Sequence, residues 1–189
     1  MSIAFALSPD ERRVLGDLAR LSIVRRFKGE TDLPPFTPPD GVLRSSLGCF
    51  VTLTRDGQLR GCIGSIVGQE PLWRGVARMA QAAAFEDPRF PPLQAREWPH
   101  TAMEISVLGP LSPCPDTRQI IIGRHGLLLH YGGRSGVFLP KVPVEQGWDT
   151  DEYLENLCRK AGLPPGTWQK PEAQLYWYEA LAFPVAMSA

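Results

Sequence analysis

The sequence has no long apolar run. Its opening, Met1-Ser2-Ile3-Ala4-Phe5-Ala6-Leu7, is apolar but too short to cross a bilayer or act as an export signal, and an acidic helix start follows at once. No membrane partner is expected, and the expected location is cytoplasmic. Cysteine is scarce: four residues, at 49, 62, 114 and 158, with irregular spacing. An even count allows two disulfides, but without an export signal free thiols are expected. Charge of one sign is not in excess either, since 20 Lys and Arg balance 20 Asp and Glu. This argues against a basic nucleic-acid-binding tail and against an acidic solvating domain. C-x-x-C, H-E-x-x-H, G-x-S-x-G, a Walker loop and G-x-G-x-x-G after a strand are all missing. No metal site, nucleotide cofactor or redox disulfide is therefore expected.

What is present is a globular composition. The 189 residues are 43% hydrophobic and 21% charged, which suits one substantial core, or two small lobes sharing one, and not disorder. Nineteen prolines and 18 glycines without a period mark many turns. The first element is a helix. Ser8-Pro9-Asp10-Glu11 has the form of a capping box, and Val14, Leu18, Leu21 and Val24 recur at helical spacing as one buried stripe. Arg25-Arg26-Phe27-Lys28 closes it, where cations suit the negative end of the dipole. Four prolines between 34 and 39 make residues 31–47 an ordered crossing loop or a linker. Cys49 to Thr54 and Leu59 to Ile66 form a hairpin about Asp56-Gly57. Without a bulge, Arg60 faces Leu53 and Cys62 faces Val51, and Arg60 and Cys62 share one face.

A second helix spans Pro71 to Phe85, with Leu72, Val76, Met79, Ala80 and Ala83 on one side, and stops before Asp87-Pro88. Strands are expected at Met103 to Leu108, Ile120 to Ile122, Leu127 to Leu129, Val137 to Leu139 and Leu175 to Ala182. Gly132-Gly133-Arg134-Ser135-Gly136 could cradle an anion, but it reads first as a hairpin turn. A third helix has Thr150 as N-cap, turns Tyr153, Leu154, Leu157 and Cys158 inward, and ends at Gly162. The expected fold class is α+β: one domain over residues 1–189, with a mainly antiparallel sheet flanked by helices.

The chemistry concentrates in Leu59-Arg60-Gly61-Cys62-Ile63-Gly64. A guanidinium two residues from a thiol favours thiolate, and the glycines Gly61 and Gly64 let a ligand or another backbone approach. Cys62 is either a nucleophile or ligand-contacting thiol, or a small buried residue in a tight hairpin. Glu86 and Asp87 sit at the end of the second helix that the dipole disfavours for anions. They are either a base or cation ligand, or half of a clamp with Arg89. Glu104, inside an apolar strand, needs a partner, and Arg60 is the expected one. His125 lies in a glycine-flanked turn and is a candidate general base. His130, five residues on, points to the opposite face, so the two should not chelate one metal.

These segments together resemble the AMMECR domain family, in particular its bacterial form, the AmmeMemoRadiSam system protein A. The resemblance rests on the unbroken hexapeptide L-R-G-C-I-G at Leu59–Gly64, with Phe50-Val51-Thr52-Leu53 before it and Asp87-Pro88-Arg89-Phe90-Pro91-Pro92-Leu93 after it. It continues through Glu104-Ile105-Ser106-Val107-Leu108, His125-Gly126, Leu139-Pro140, Glu145-Gln146-Gly147-Trp148-Asp149 and Leu157-Cys158-Arg159-Lys160-Ala161-Gly162. The resemblance implies an antiparallel sheet flanked by helices, with a smaller lobe packed against it. It brings no known reaction. Family members accompany a Memo-like protein and a radical S-adenosylmethionine protein, which implies those partners and a shared modification pathway, with RNA modification as one suggestion. From the residues themselves, Cys62, His125, Glu86 and Asp87 are the candidate catalytic residues, and Arg60, Gly61, Gly64, Arg89 and Glu104 the candidate ligand-binding ones. The substrate is a small molecule or RNA. The chain is a modification enzyme or subunit, a non-catalytic adaptor that presents substrate, or an RNA-binding module.

Overall fold

The structure is a computed structural model and describes residues 6–187. Most of the apolar opening, residues 1–5, lies outside the described part. The described residues divide into two compact units: Gly109–Ala180, and a flanking unit made of residues 6–108 and 181–187. No helix among the described residues is long and apolar enough to cross a membrane.

The flanking unit begins with α1 (Pro9–Phe27). Its start is the expected capping box: Ser8 Oγ accepts from the Glu11 N–H at 3.2 Å, and the Glu11 carboxylate accepts from the Ser8 N–H at 2.8 Å. The buried face differs from the expected stripe. It runs through Leu15, Leu18, Ala19, Ser22 and Ile23, while Leu21 is 47% exposed. Both stripes share Leu18. The observed one admits a serine because the Ser22 hydroxyl donates to the carbonyls of Ala19 at 2.8 Å and Ala77 at 3.0 Å, which satisfies it in the core. The proline-rich loop is ordered, with Phe36 packed edge-on against Trp73 at 5.6 Å.

Strands β1 (Cys49–Arg55) and β2 (Gln58–Ser65) form the expected hairpin. Asp56 and Gly57 both take positive φ, 51° and 76°, the conformation of a tight hairpin turn. The register carries a bulge. Leu53 pairs with Gly61 and Thr54 with Leu59, so Arg60 has no opposite residue. The bulge-free pairing of Arg60 with Leu53 and Cys62 with Val51 is therefore replaced by Cys62 opposite Thr52. Helix α2 (Leu72–Phe85) then buries Leu72, Val76, Ala77, Ala80, Ala83 and Ala84. Strand β3 (Thr101–Leu108) pairs antiparallel with β1 and buries Met103, Ile105 and Val107.

In the Gly109–Ala180 unit, β4 (Ser112–Pro113) is short. Residues 120–122 form no strand; the chain turns there and enters β5 (His125–Tyr131), which pairs with β6 (Arg134–Phe138). Gly132 and Gly133, both at positive φ, make the expected turn between them. A six-residue helix, α3 (Lys141–Gln146), has no counterpart in the sequence reading. Helix α4 (Thr150–Lys160) is capped by Asp149 and not by Thr150, because Asp149 closes a capping box with Glu152. Tyr153, Leu154, Leu157 and Cys158 face inward as expected. Strand β7 (Gln174–Val185) pairs antiparallel with β5 and with β4. From Leu181 onward it belongs to the flanking unit, where Phe183 is buried in the core. The fold is α+β, with antiparallel ladders and helices packed on them.

Candidate functional site

In the flanking unit, the core face of β1 carries Cys49, Val51 and Leu53, all buried. Residues one position along point the other way. The bulge puts Cys62 in that second set. Cys62 lies opposite Thr52, and Thr52 lies opposite Glu104, so the three form one row across β2, β1 and β3. Directly opposed side chains stand about 5 Å apart at Cβ. The Cys62 thiol is half-buried, and its Sγ lies 3.3 Å from Thr52 Oγ1 in a hydrogen bond that either atom can donate. The other three cysteines differ. Burial pushes the Cys49 thiol up to about 12, with Glu70 adding to the shift, and burial also raises Cys114 and Cys158. None of the four is in a disulfide.

The outer edge of β2 would leave its backbone unpaired. The Asp87-Pro88-Arg89 turn closes that edge. Asp87 Oδ2 accepts the Cys62 N–H at 2.8 Å, and Arg89 Nη2 donates to the Cys62 carbonyl at 3.2 Å. Arg89 also grips Asp87 through Nε at 3.0 Å and Nη2 at 2.7 Å. The Asp87 side chain is 2% exposed and that of Arg89 is 54% exposed. The Arg89 hydrogen bonds, followed by the Cys62 and Arg89 N–H groups, hold the Asp87 carboxyl well below the usual range despite its burial. A carboxylate so weakly basic holds backbone and does not move protons at neutral pH. Of the two readings of Asp87, the geometry matches the clamp.

Arg60 meets Glu97 and not Glu104. Its Nε and Nη2 reach the two Glu97 oxygens at 3.0 and 3.1 Å, and Arg55 adds a contact at 3.3 Å. Arg60, followed by the Gln94 N–H, lowers the Glu97 carboxyl to about 2. Through Nε and Nη2 on Glu97, Arg60 braces the hairpin. Phe90 lies between the two systems, its ring centroid 5.9 Å from the Arg60 guanidinium carbon and 5.6 Å from that of Arg89. Glu86, at the end of α2, is exposed, and its charge adds to that of Glu70 at Arg78.

Residues 16–183 match the AMMECR1 family model. The chain belongs to the AMMECR1 family. A protein of Methanopyrus kandleri is 40% identical over 186 residues, covering 94% of this chain and 89% of its own. One from Nanoarchaeum equitans is 43% identical over 148 residues, covering 75% and 82%. The crystal structure of an uncharacterised protein from Pyrococcus horikoshii aligns with a TM-score of 0.86 at 37% identity, over 95% of this chain and 94% of that one. The α+β fold is thus shared with a solved relative.

Within this AMMECR1 domain the hexapeptide glycines admit protein, not ligand. A Cβ at Gly61 would lie 2.0 Å from the Ala83 carbonyl oxygen of α2, and one at Gly64 would lie 2.3 Å from the Phe50 ring. His125 belongs to the Gly109–Ala180 unit. It is 4% exposed and packs on Trp177 with ring centroids 4.5 Å apart. Its Nδ1 accepts the Ile121 N–H at 3.1 Å, so the neutral ring carries its proton on Nε2. Burial, followed by Arg124 and opposed by Glu179, lowers its pKa. In this state the ring can only donate, through Nε2–H, and has no free lone pair for a general base to use. Among the described residues, no group of three or more His, Cys, Asp or Glu could hold a metal ion.

Two partners escaped the sequence reading. Glu97 lies in Gln94-Ala95-Arg96-Glu97, where no motif marks it, and only the fold brings it to Arg60. Thr52 reads as an ordinary strand residue until the bulge places it against Cys62.

Proposed function

We propose that this AMMECR1 chain is a thiol-centred component of the AmmeMemoRadiSam set, with Cys62 as its covalent handle. The supporting observation is the half-buried Cys62 sulfur, hydrogen-bonded to the Thr52 hydroxyl and in one row with Glu104. In the covalent step the sulfur's electron pair makes an S–C bond while the carbon's bond to its leaving group breaks. The thiol proton leaves through Thr52 Oγ1, its hydrogen-bond partner, to solvent, and the leaving group departs with its electron pair and takes up a proton from solvent. Arg89, whose Nη1 is outside the clamp and whose side chain is 54% exposed, offers an anionic part of the substrate a partner beside the sulfur. The Memo-like and radical S-adenosylmethionine proteins are the proposed partners, supported by the family's company. The substrate, a small molecule or RNA, would carry the electrophilic carbon.

The test is alkylation of the full chain with iodoacetamide at pH 7.5, followed by peptide mass mapping. Cys62 should label first, at least tenfold faster than Cys49 or Cys158, and Thr52→Val should slow it. Labelling of Cys62 no faster than that of Cys49 removes the nucleophile. Co-purification with either partner, combined with a Cys62→Ser variant that leaves pathway output intact, would replace this reading with the adaptor.

A further inference from the structure

The Gly109–Ala180 unit holds a cavity of about 440 Å³ with Arg118, Gln119, Arg124, His125 and Trp177 among its walls. The cavity is open to solvent and its lining is mixed: Pro115 and Ile121 are apolar, and the other side chains carry hydrogen-bond donors. Arg118 uses Nε and Nη2 on Asp116, and Arg124 uses Nε and Nη2 on Glu179, which leaves each guanidinium an Nη1 edge. His125, 4% exposed, has its Nδ1 filled by the Ile121 N–H and presents Nε2–H. Trp177, 7% exposed, has an indole N–H that can only donate. Among the described residues that line the cavity, none is acidic. The two carboxylates that pair with these arginines, Asp116 and Glu179, are not part of the lining.

The donors on Arg118, Arg124, His125 and Trp177, with no acidic side chain among the lining, complement an acceptor-only group. We propose that this cavity binds a small oxyanion-bearing ligand, a carboxylate or a phosphate monoester, through His125 Nε2–H, the Trp177 indole N–H and the free edges of Arg118 and Arg124. His125 is then a ligand-binding residue. This inference is independent of the Cys62 chemistry, since none of its residues takes part in that site.

Two-dimensional ¹⁵N–¹H spectra of the full chain test it. The Trp177 indole signal is assigned by its loss in Trp177→Phe. Inorganic phosphate and sodium acetate are titrated separately, with sodium chloride at equal ionic strength as the control. A saturable shift of the Trp177 signal with phosphate or acetate, and not with chloride, is the expected result. A response to phosphate alone identifies a phosphate ester as the ligand class, and a response to acetate alone a carboxylate. Affinity measured by calorimetry should fall about tenfold in Trp177→Phe and in Arg124→Gln, since each removes a donor to a charged group. It should be unchanged in Cys62→Ser. Arg124 is exposed, so Arg124→Gln keeps the test decisive if Trp177→Phe unfolds. No saturation, an equal response to chloride, or full affinity in Arg124→Gln would overturn the proposal.

Discussion

At the scale of single residues, Asp87 is tightly held in the flanking unit. Its oxygens accept from the Cys62 and Arg89 N–H groups and from the Arg89 side chain. Asp87→Asn keeps the shape but turns one acceptor into a donor aimed at donors. It should cost about 2 kcal/mol in urea unfolding. The carboxyls of Asp87 and Glu97 both titrate below their ordinary values of 3.8 and 4.5. Groups depressed in this way stabilise the fold above their unfolded pKa and lose that contribution as pH falls through the folded one. Stability should therefore drop as pH is lowered from 4.5 towards 2, through the Glu97 value of about 2, and Glu97→Gln should flatten that slope in acid titrations followed by circular dichroism. The Asp87–Arg89 pair was legible because its members stand two apart in the chain. The Arg60–Glu97 pair spans 37 positions and was not.

At the scale of elements, one inserted residue decides which way the cysteine faces. A one-residue slip of register sends every side chain to the opposite face of the sheet. Read without the bulge, Cys62 joins Val51 in the core; with it, Cys62 joins Thr52 outside. Composition does not announce a bulge, so the hairpin was readable and the face of its cysteine was not. Gly61 is the structural counterpart. Gly61→Ala drives a methyl into the Ala83 carbonyl, backbone against backbone, and should cost about 3 kcal/mol in thermal or urea unfolding. Cap boundaries have a similar lesson. Asp149 and Thr150 both belong to the residue types that cap helices, and the reciprocal bond to Glu152 selects Asp149. Asp149→Ala should lower stability by about 1 kcal/mol, whereas Thr150→Ala should leave it nearly unchanged. The misread face of α1 has the same origin: a stripe drawn from apolar residues alone passes over a serine that satisfies its hydroxyl internally.

At the scale of the molecule, β7 serves both units. Its earlier residues ladder with β5, while Phe183 is buried in the other core and Leu181, Val185 and Met187 pack against it. Gly16 of α1 has no Cβ where Val185 approaches; one placed there would lie 3.0 Å from its methyl. A chain ended after Ala180 should keep the β5–β6 hairpin and its α4 core but lose cooperative melting of the flanking unit, seen as dye binding to exposed apolar surface and lost near-ultraviolet circular dichroism. Alternation and helical spacing revealed most of these elements, but nothing local to residues 181–187 says which core they enter.

That return has a consequence for biosynthesis. A ribosome adds residues in order, and the N-terminal half emerges long before the stretch that seals it. Until all of Gly109–Ala180 has been made, α1, β1, β2, α2 and β3 wait with an open seam. Translation at roughly 5–20 residues per second makes that delay several seconds long. During that interval the nascent chain exposes apolar surface that the residues from Leu181 onward later cover.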